Sequence, residues 1–300
     1  MPLGVGLVLG YSGHVSFASG SDPLRQVPRS AELRVSTADI ARMERAAAVI
    51  ADCRAGLAAQ NRGILDTMAA GIDRFAAWRR YPEGEIYDPV SHAQYFYHLH
   101  PAERRSPREH GHFHTFLRAE GMPHGAVPLV LPEAAVAART APPQAAPGKR
   151  GARDEVSHLV AISLDARGEP FRLFTTNRWV TGETWYRADD VIAMLDRFVI
   201  AAADPPELRD SWLCAILQLF RPQIAALLHE RDAKVMAWRQ RRNANAFEDR
   251  RLEITSTREI DLGAQLAFLD RVREQAAADT LPRVPSLPRM AEGWGETPQR

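Results

Sequence analysis

The stretch Gln94-Tyr95-Phe96-Tyr97-His98-Leu99-His100 is followed, after the polar connection PAERRSPRE, by His110-Gly111-His112-Phe113-His114-Thr115-Phe116-Leu117-Arg118. Both runs read as strands. Side chains alternate faces along a strand, which puts Phe96, His98 and His100 on one face and Tyr95, Tyr97 and Leu99 on the other. The same parity groups His110, His112, His114 and Phe116, with Phe113, Thr115 and Leu117 opposite them. If the runs pair as a hairpin with His98 facing His112, up to five imidazoles gather on one surface. Cross-strand neighbours sit ~5 Å apart, so two or three of these rings can converge on one ion. His98, His100, His110, His112 and His114 are therefore the candidate metal ligands. Glu109, just before the second run, could add a carboxylate or accept a hydrogen bond from a ligating ring. The alternative is that the histidines line a solvated face or bond to neighbouring acids.

The donor types narrow the metal. The sequence has two cysteines, and both Cys53 and Cys214 fall in apolar helical patterns, so neither a thiolate site nor a disulfide framework is expected. Imidazole and carboxylate donors suit zinc, non-haem iron, manganese, nickel or copper, with zinc or iron foremost. A three-histidine zinc site and a two-histidine, one-carboxylate iron site both fit the pattern.

Helical periodicity flanks these strands on both sides. Ser36, with Asp39 three positions on, is a plausible capping box opening a helix whose stripe is Ile40, Met43, Ala47, Ile50 and Leu57. Ile64, Met68, Ile72 and Phe75 suggest a second helix that ends by Pro82. Two further strands are expected at Ser157–Leu164 and Phe171–Thr176. Helices follow at Asp189–Ala203, at Leu208–Arg241 with a break or kink at Pro222, and at about Leu262–Ala276. Residues 121–156 are rich in Ala and Pro and lack aromatics, which reads as a loop insertion. Residues 1–36 and 278–300 read as flexible tails around one domain at 37–277. The fold class is α+β: a small antiparallel sheet flanked by N-terminal and C-terminal helices.

A second unusual stretch is Thr176-Asn177-Arg178-Trp179-Val180-Thr181-Gly182-Glu183-Thr184-Trp185-Tyr186. Aromatic, Arg and polar residues on a loop after a strand are the materials of a binding loop. Asn177, Arg178, Trp179, Trp185 and Tyr186 are candidate substrate contacts, and Arg178 could pair bidentately with a carboxylate or phosphate. Glu183 could act as acid, base or ligand, which makes Glu109, Glu183 and Arg178 the candidate catalytic groups. The competing reading has the two Trp rings capping the sheet while Arg178 pairs with Glu183.

Composition excludes several classes. Lys+Arg 38 against Asp+Glu 37 gives a net charge of +1, so no global field draws in nucleic acid or an anionic membrane. Arg239, Arg241 and Arg242 beside Trp238 read as a basic helix end. Neither GxGxxG nor Walker A motif occurs, and no Gly-x-Ser-x-Gly elbow accompanies Ser157-His158. No apolar run approaches the ~20 residues of a membrane span. The opening MPLGVGLVLG lacks a preceding Lys or Arg and a small-residue cleavage site, so a secretory signal fits poorly and a cytoplasmic location is expected.

Longer motifs add a resemblance. Residues 81–88 (YPEGEIYD), 91–95 (SHAQY), 109–116 (EHGHFHTF), 173–185 (LFTTNRWVTGETW) and 220–224 (FRPQI) resemble an uncharacterised family of bacterial proteins, over roughly residues 37–270. The resemblance implies a bacterial origin and a domain of unknown function, with no activity attached. The 121–156 segment is longer than that family would lead one to expect. The functional expectation therefore rests on the residues. It is a metal-dependent enzyme, hydrolase or non-haem oxygenase, acting on a small molecule. The alternatives are a non-catalytic metal- or small-molecule-binding protein and a structural partner protein with incidental histidines.

Overall fold

The computed structural model describes residues 35–129 and 155–280, except positions 70, 73, 204, 243 and 244. The expected tails at 1–36 and 278–300 and the loop at 121–156 lie mostly outside the described residues. A six-stranded sheet is the centre of the fold, with strands β1 (Arg80–Tyr87), β2 (Ala93–His98), β3 (Glu109–Arg118), β4 (Val156–Asp165), β5 (Pro170–Thr176) and β6 (Ile254–Glu259). The strands are neighbours in chain order and every pairing is antiparallel. Among the described residues six α-helices complete it: α1 (Thr37–Ala59), α2 (Arg178–Thr181), α3 (Ala188–Leu195), α4 (Leu208–Leu219), α5 (Arg221–Arg242) and α6 (Leu262–Thr280). The α+β class with helices at both ends of the chain is as the sequence implies.

The two faces of the sheet have different chemistry. Tyr95, Tyr97, Phe113, Leu117, Ile162, Leu164 and Leu173 point into the main core. Helix α1 brings Met43, Ile50 and Leu57 to that core, α4 brings Trp212 and Ile216, and α5 brings Ile224 and Leu227. On the opposite face Phe96, Phe116 and Val156 form a small separate cluster, and the histidines lie beside it.

Several local expectations are met for their stated reasons. Ser36 Oγ accepts from the Asp39 amide at 3.1 Å, and the Asp39 carboxylate accepts from the Ser36 amide at 3.2 Å, so the capping box opens α1. Pro222 sits in the first turn of α5, where its missing N–H costs nothing, and α4 and α5 meet there at 69°. Among the described residues no single helix is long and apolar enough to cross a membrane. Only the bent α4–α5 pair passes on combined length and composition, and the Trp212, Leu213, Ile216 and Leu227 side chains it carries are buried in the core.

One expectation is corrected, and one strand was not expected. The helix expected from Ile64 to Trp78 is a single 3-10 turn, Leu65–Thr67. Gly71 and Trp78 both take positive φ, 76° and 69°, which a continuing helix does not allow. The apolar spacing in that stretch marked burial and not helix, since Ile64 and Met68 are core residues and Ile72 and Phe75 pack against them. Strand β6 was not foreseen because Ile-Thr-Ser-Thr-Arg-Glu carries almost no apolar signal. Its buried hydroxyls are satisfied locally: Thr175 Oγ1 lies 2.7 Å from Thr255 Oγ1 and 2.6 Å from Ser256 Oγ, which also donates to the Leu227 carbonyl at 2.8 Å.

Phe113 tests the division between the faces. It is fully buried, with ring centroids 5.0 Å from Tyr97, 5.7 Å from Tyr95 and 6.3 Å from Trp212. Phe113→Ala should lower stability by about 3–5 kcal/mol in denaturant unfolding. A loss below about 1 kcal/mol, the range of surface substitutions, would show that the β3 ring is not a core element.

Candidate metal centre

The site is built by register. Strands β2 and β3 pair His98 with His112 and Phe96 with His114, the alignment that gathers imidazoles on one face. His98 Nε2 lies 2.7 Å from His112 Nε2. His98, His112 and His114 each offer a ring nitrogen, and the three nitrogens lie within 4.8 Å of one another. His112 and His114 are buried, and His98 is half-buried.

The pairing of β3 with β4 shifts between Glu109 and Gly111, so strict alternation fails at the start of β3. Glu109 consequently comes to the side of His112, and its Oε1 lies 2.5 Å from His112 Nδ1. Its Oε2 accepts from Arg172 Nη2 at 2.6 Å. The same irregularity sends His110 to the opposite face, which corrects the parity expected for that residue. Its Nδ1 lies 2.7 Å from Tyr97 Oη, and its ring packs 5.0 Å from Phe75. Gly111 is required at this crossing, because a Cβ there would stand 2.5 Å from the His98 carbonyl oxygen. His100, just past the end of β2, has its ring 5.1 Å from His112 and 4.6 Å from Trp78, and flanks the three-ring group.

Two partners were missed from the sequence. His158 Nε2 lies 3.0 Å from His114 Nδ1. The signal, a histidine at the start of a strand, was present, but its face depends on a second register shift between Thr115 and Phe116 that spacing does not reveal. Arg172, which holds Glu109, alternates with Phe171 and Leu173 in β5 and looked like an ordinary strand residue.

Tautomers follow from the partners. An ionised carboxylate only accepts, so His112 carries its hydrogen on Nδ1 and presents a lone pair at Nε2. His98 Nε2–H then donates to that lone pair when both rings are neutral. Burial, then the neighbouring His112 and His100 rings, push His98 down to about 2. Burial likewise lowers His158 to about 3 and His100 to about 4, and holds His114 well below the ordinary imidazole value. For Glu109, burial alone would raise the carboxyl, but the His112 hydrogen bond and the Arg172 guanidinium outweigh it and keep it below its usual range. His98, His100, His114 and His158 are thus held neutral beside an ionised carboxylate.

The loop after β5 is spent on packing. Asn177, fully buried, caps α2 by accepting from the Arg178 amide at 2.9 Å and donates to the Ala246 carbonyl at 2.7 Å. Arg178 pairs with Glu248 and donates to the Glu183 carbonyl at 3.3 Å, not to the Glu183 carboxylate. Trp179 Nε1 donates to the Leu252 carbonyl at 3.0 Å. Trp185 lies buried against Phe247 with the Arg231 guanidinium 4.2 Å from its centroid, and the Tyr186 carbonyl accepts from Arg231. These five side chains are not brought to the histidines. Glu183 alone reaches toward them: its Oε2 accepts from the His158 amide at 2.8 Å, and burial raises its carboxyl to about 7 despite Arg231.

The depressed imidazoles set a pH dependence. Below the ordinary value of about 6.5, the unfolded chain takes up protons that the folded chain refuses, so these groups add no penalty above that pH and destabilise the fold as pH falls. For His158 the window runs from about 6.5 down to about 3. In metal-free protein, the melting temperature should fall across this window, and His158→Gln, which cannot be protonated, should flatten the fall. An unchanged slope in the variant would show that His158 is not held neutral.

Neither the curated proteins nor the solved structures contain a significant match to this chain. Residues 44–260 do match a family defined by sequence, a span that takes in every strand of the sheet and the whole histidine group, and the chain belongs to that family, the domain of unknown function DUF6969.

Proposed function

We propose that the protein is a metal-dependent enzyme in which His98, His112 and His114 hold a divalent ion. The observation that carries this reading is the convergence of three imidazole nitrogens within 4.8 Å on one sheet face. Two nitrogens on a tetrahedral zinc with Zn–N of ~2.0–2.1 Å are ~3.3 Å apart. The His98 and His112 nitrogens stand at 2.7 Å, so an ion between them needs this pair to open by a few tenths of an ångström and the His98 hydrogen to move from Nε2 to Nδ1.

The donor set favours zinc within the zinc-or-iron expectation. Both Glu109 oxygens are engaged, by His112 and Arg172, which leaves three imidazoles as donors and Glu109 as the group that orients His112. Three protein ligands leave a fourth position open, as catalytic zinc sites do. A metal there supplies Lewis acidity and lowers the pKa of bound water, which suits hydrolysis better than the two-histidine, one-carboxylate chemistry of oxygenases. His158 supports His114 from behind, and Glu183 fixes the β4 backbone at His158. His100 flanks the group, its ring 5.1 Å from that of His112.

Elemental analysis of untagged, zinc-reconstituted protein should find about one metal per chain, and Glu109→Gln should weaken metal affinity by about 10–100-fold with the fold retained. Less than about 0.2 metal per chain after reconstitution would overturn the metal reading. Full occupancy with no metal-dependent turnover on a panel of esters, amides and phosphoesters would overturn the enzyme part and leave a binding protein.

A further inference from the structure

The histidine face continues into a cleft that the metal group does not use. Its cavity, about 350 Å³, is lined by Arg80, Glu85, Gln94, Phe96, Phe116, Arg118, Val156 and Thr181. The cleft and the cluster share a ladder: Gln94 pairs with Phe116, Phe96 with His114 and His98 with His112. Same-face positions along a strand are two residues, ~6.6 Å, apart, so the Phe96–Phe116 floor is one step from the candidate ligands. The rings touch accordingly, Phe96 at 5.4 Å from His98 and 5.2 Å from His114, and Phe116 at 5.2 Å from His158.

The charge in the cleft is unbalanced. Among the described residues that line it, Glu85 is the one carboxylate, and it pairs with Arg80, whose guanidinium lies 4.2 Å from the Phe96 centroid. Arg118 donates through Nε to Gln94 Oε1 at 2.7 Å and lies 5.5 Å from the Tyr87 centroid. An amide and a ring orient a guanidinium without neutralising it. Two guanidinium groups against one carboxylate give the wall a net charge of +1, and the Arg118 fork matches a carboxylate in shape. A phosphate dianion would exceed that charge and meet Glu85. The volume lies at the small end of ligand pockets, ~300–1,000 Å³.

We propose that this cleft binds a small carboxylic acid, its carboxylate on Arg118 and its body beside the Arg80 guanidinium that lies over the Phe96 ring, and that it is where the substrate of the neighbouring metal centre docks. The docking role rests on the metal reading, and the carboxylate site does not.

The test is calorimetric titration of the full chain, zinc-loaded and zinc-free, with benzoate and with its neutral isostere benzamide. Benzoate should bind saturably in both forms and benzamide about tenfold more weakly or worse. Arg118→Gln should lose about tenfold or more in benzoate affinity with metal content unchanged, and Arg118→Lys, which keeps the charge without the fork, should fall between. Equal binding of the two probes, no saturable benzoate binding, or unchanged benzoate affinity in both Arg118 variants would overturn the proposal. Benzoate binding that vanishes with zinc but survives both Arg118 variants would also overturn it, because the carboxylate would then sit on the metal. Arg118-dependent binding in a protein that takes up no metal would keep the cleft, remove its docking role and sink the metal reading alone.

Discussion

The irregular start of β3 is the constraint on which the histidine face depends. A register shift between Glu109 and Gly111 lets a carboxylate and His112 share one side of a strand although three residues separate them. It also sets Gly111 where only a hydrogen can face the His98 carbonyl, so β2 and β3 can close with the two imidazole nitrogens 2.7 Å apart. Without the shift, Glu109 would lie on the core face and His110 among the rings. That arrangement would bury a carboxylate in an apolar core, which costs several kcal/mol unless it is paired.

A sheet face that buries imidazoles has to satisfy them. Each ring in the group has a polar partner: His98 has His112, His112 has Glu109, His114 has His158, and Glu109 is balanced by Arg172. The network spans β2, β3, β4 and β5, so four strands must be in register before it forms. The opposite face is built from Tyr, Phe, Leu and Ile and carries the stability. This separation explains how a polar face can persist. The helices pack on the Tyr, Phe, Leu and Ile face, and the imidazoles lie on the other.

Much of this was legible in the sequence. Period-two alternation marked β2 and β3, the matching parity of His98 and His112 marked their pairing, and Ser36 with Asp39 marked the start of α1. What was not legible has a common cause. Bulges at Glu109–Gly111 and Thr115–Phe116 change which face a residue occupies, and nothing in residue type announces them, so His110 was grouped with the wrong face and His158 with none. The 176–186 loop left two readings open for a different reason. Aromatic and Arg residues serve binding and packing equally well, and here Asn177, Arg178, Trp179 and Trp185 meet residues 246–252. Strand β6 escaped notice because its burial is paid in hydroxyl hydrogen bonds and not in apolar area.

In the proposed centre three particular imidazoles, those of His98, His112 and His114, would surround one ion. X-ray absorption at the zinc edge of the reconstituted full chain addresses this most directly. The account predicts three imidazole nitrogens at about 2.0–2.1 Å, no sulfur, and one lighter donor completing a tetrahedral shell. A shell of six oxygens at longer distance, or one with fewer than two imidazoles, would contradict it.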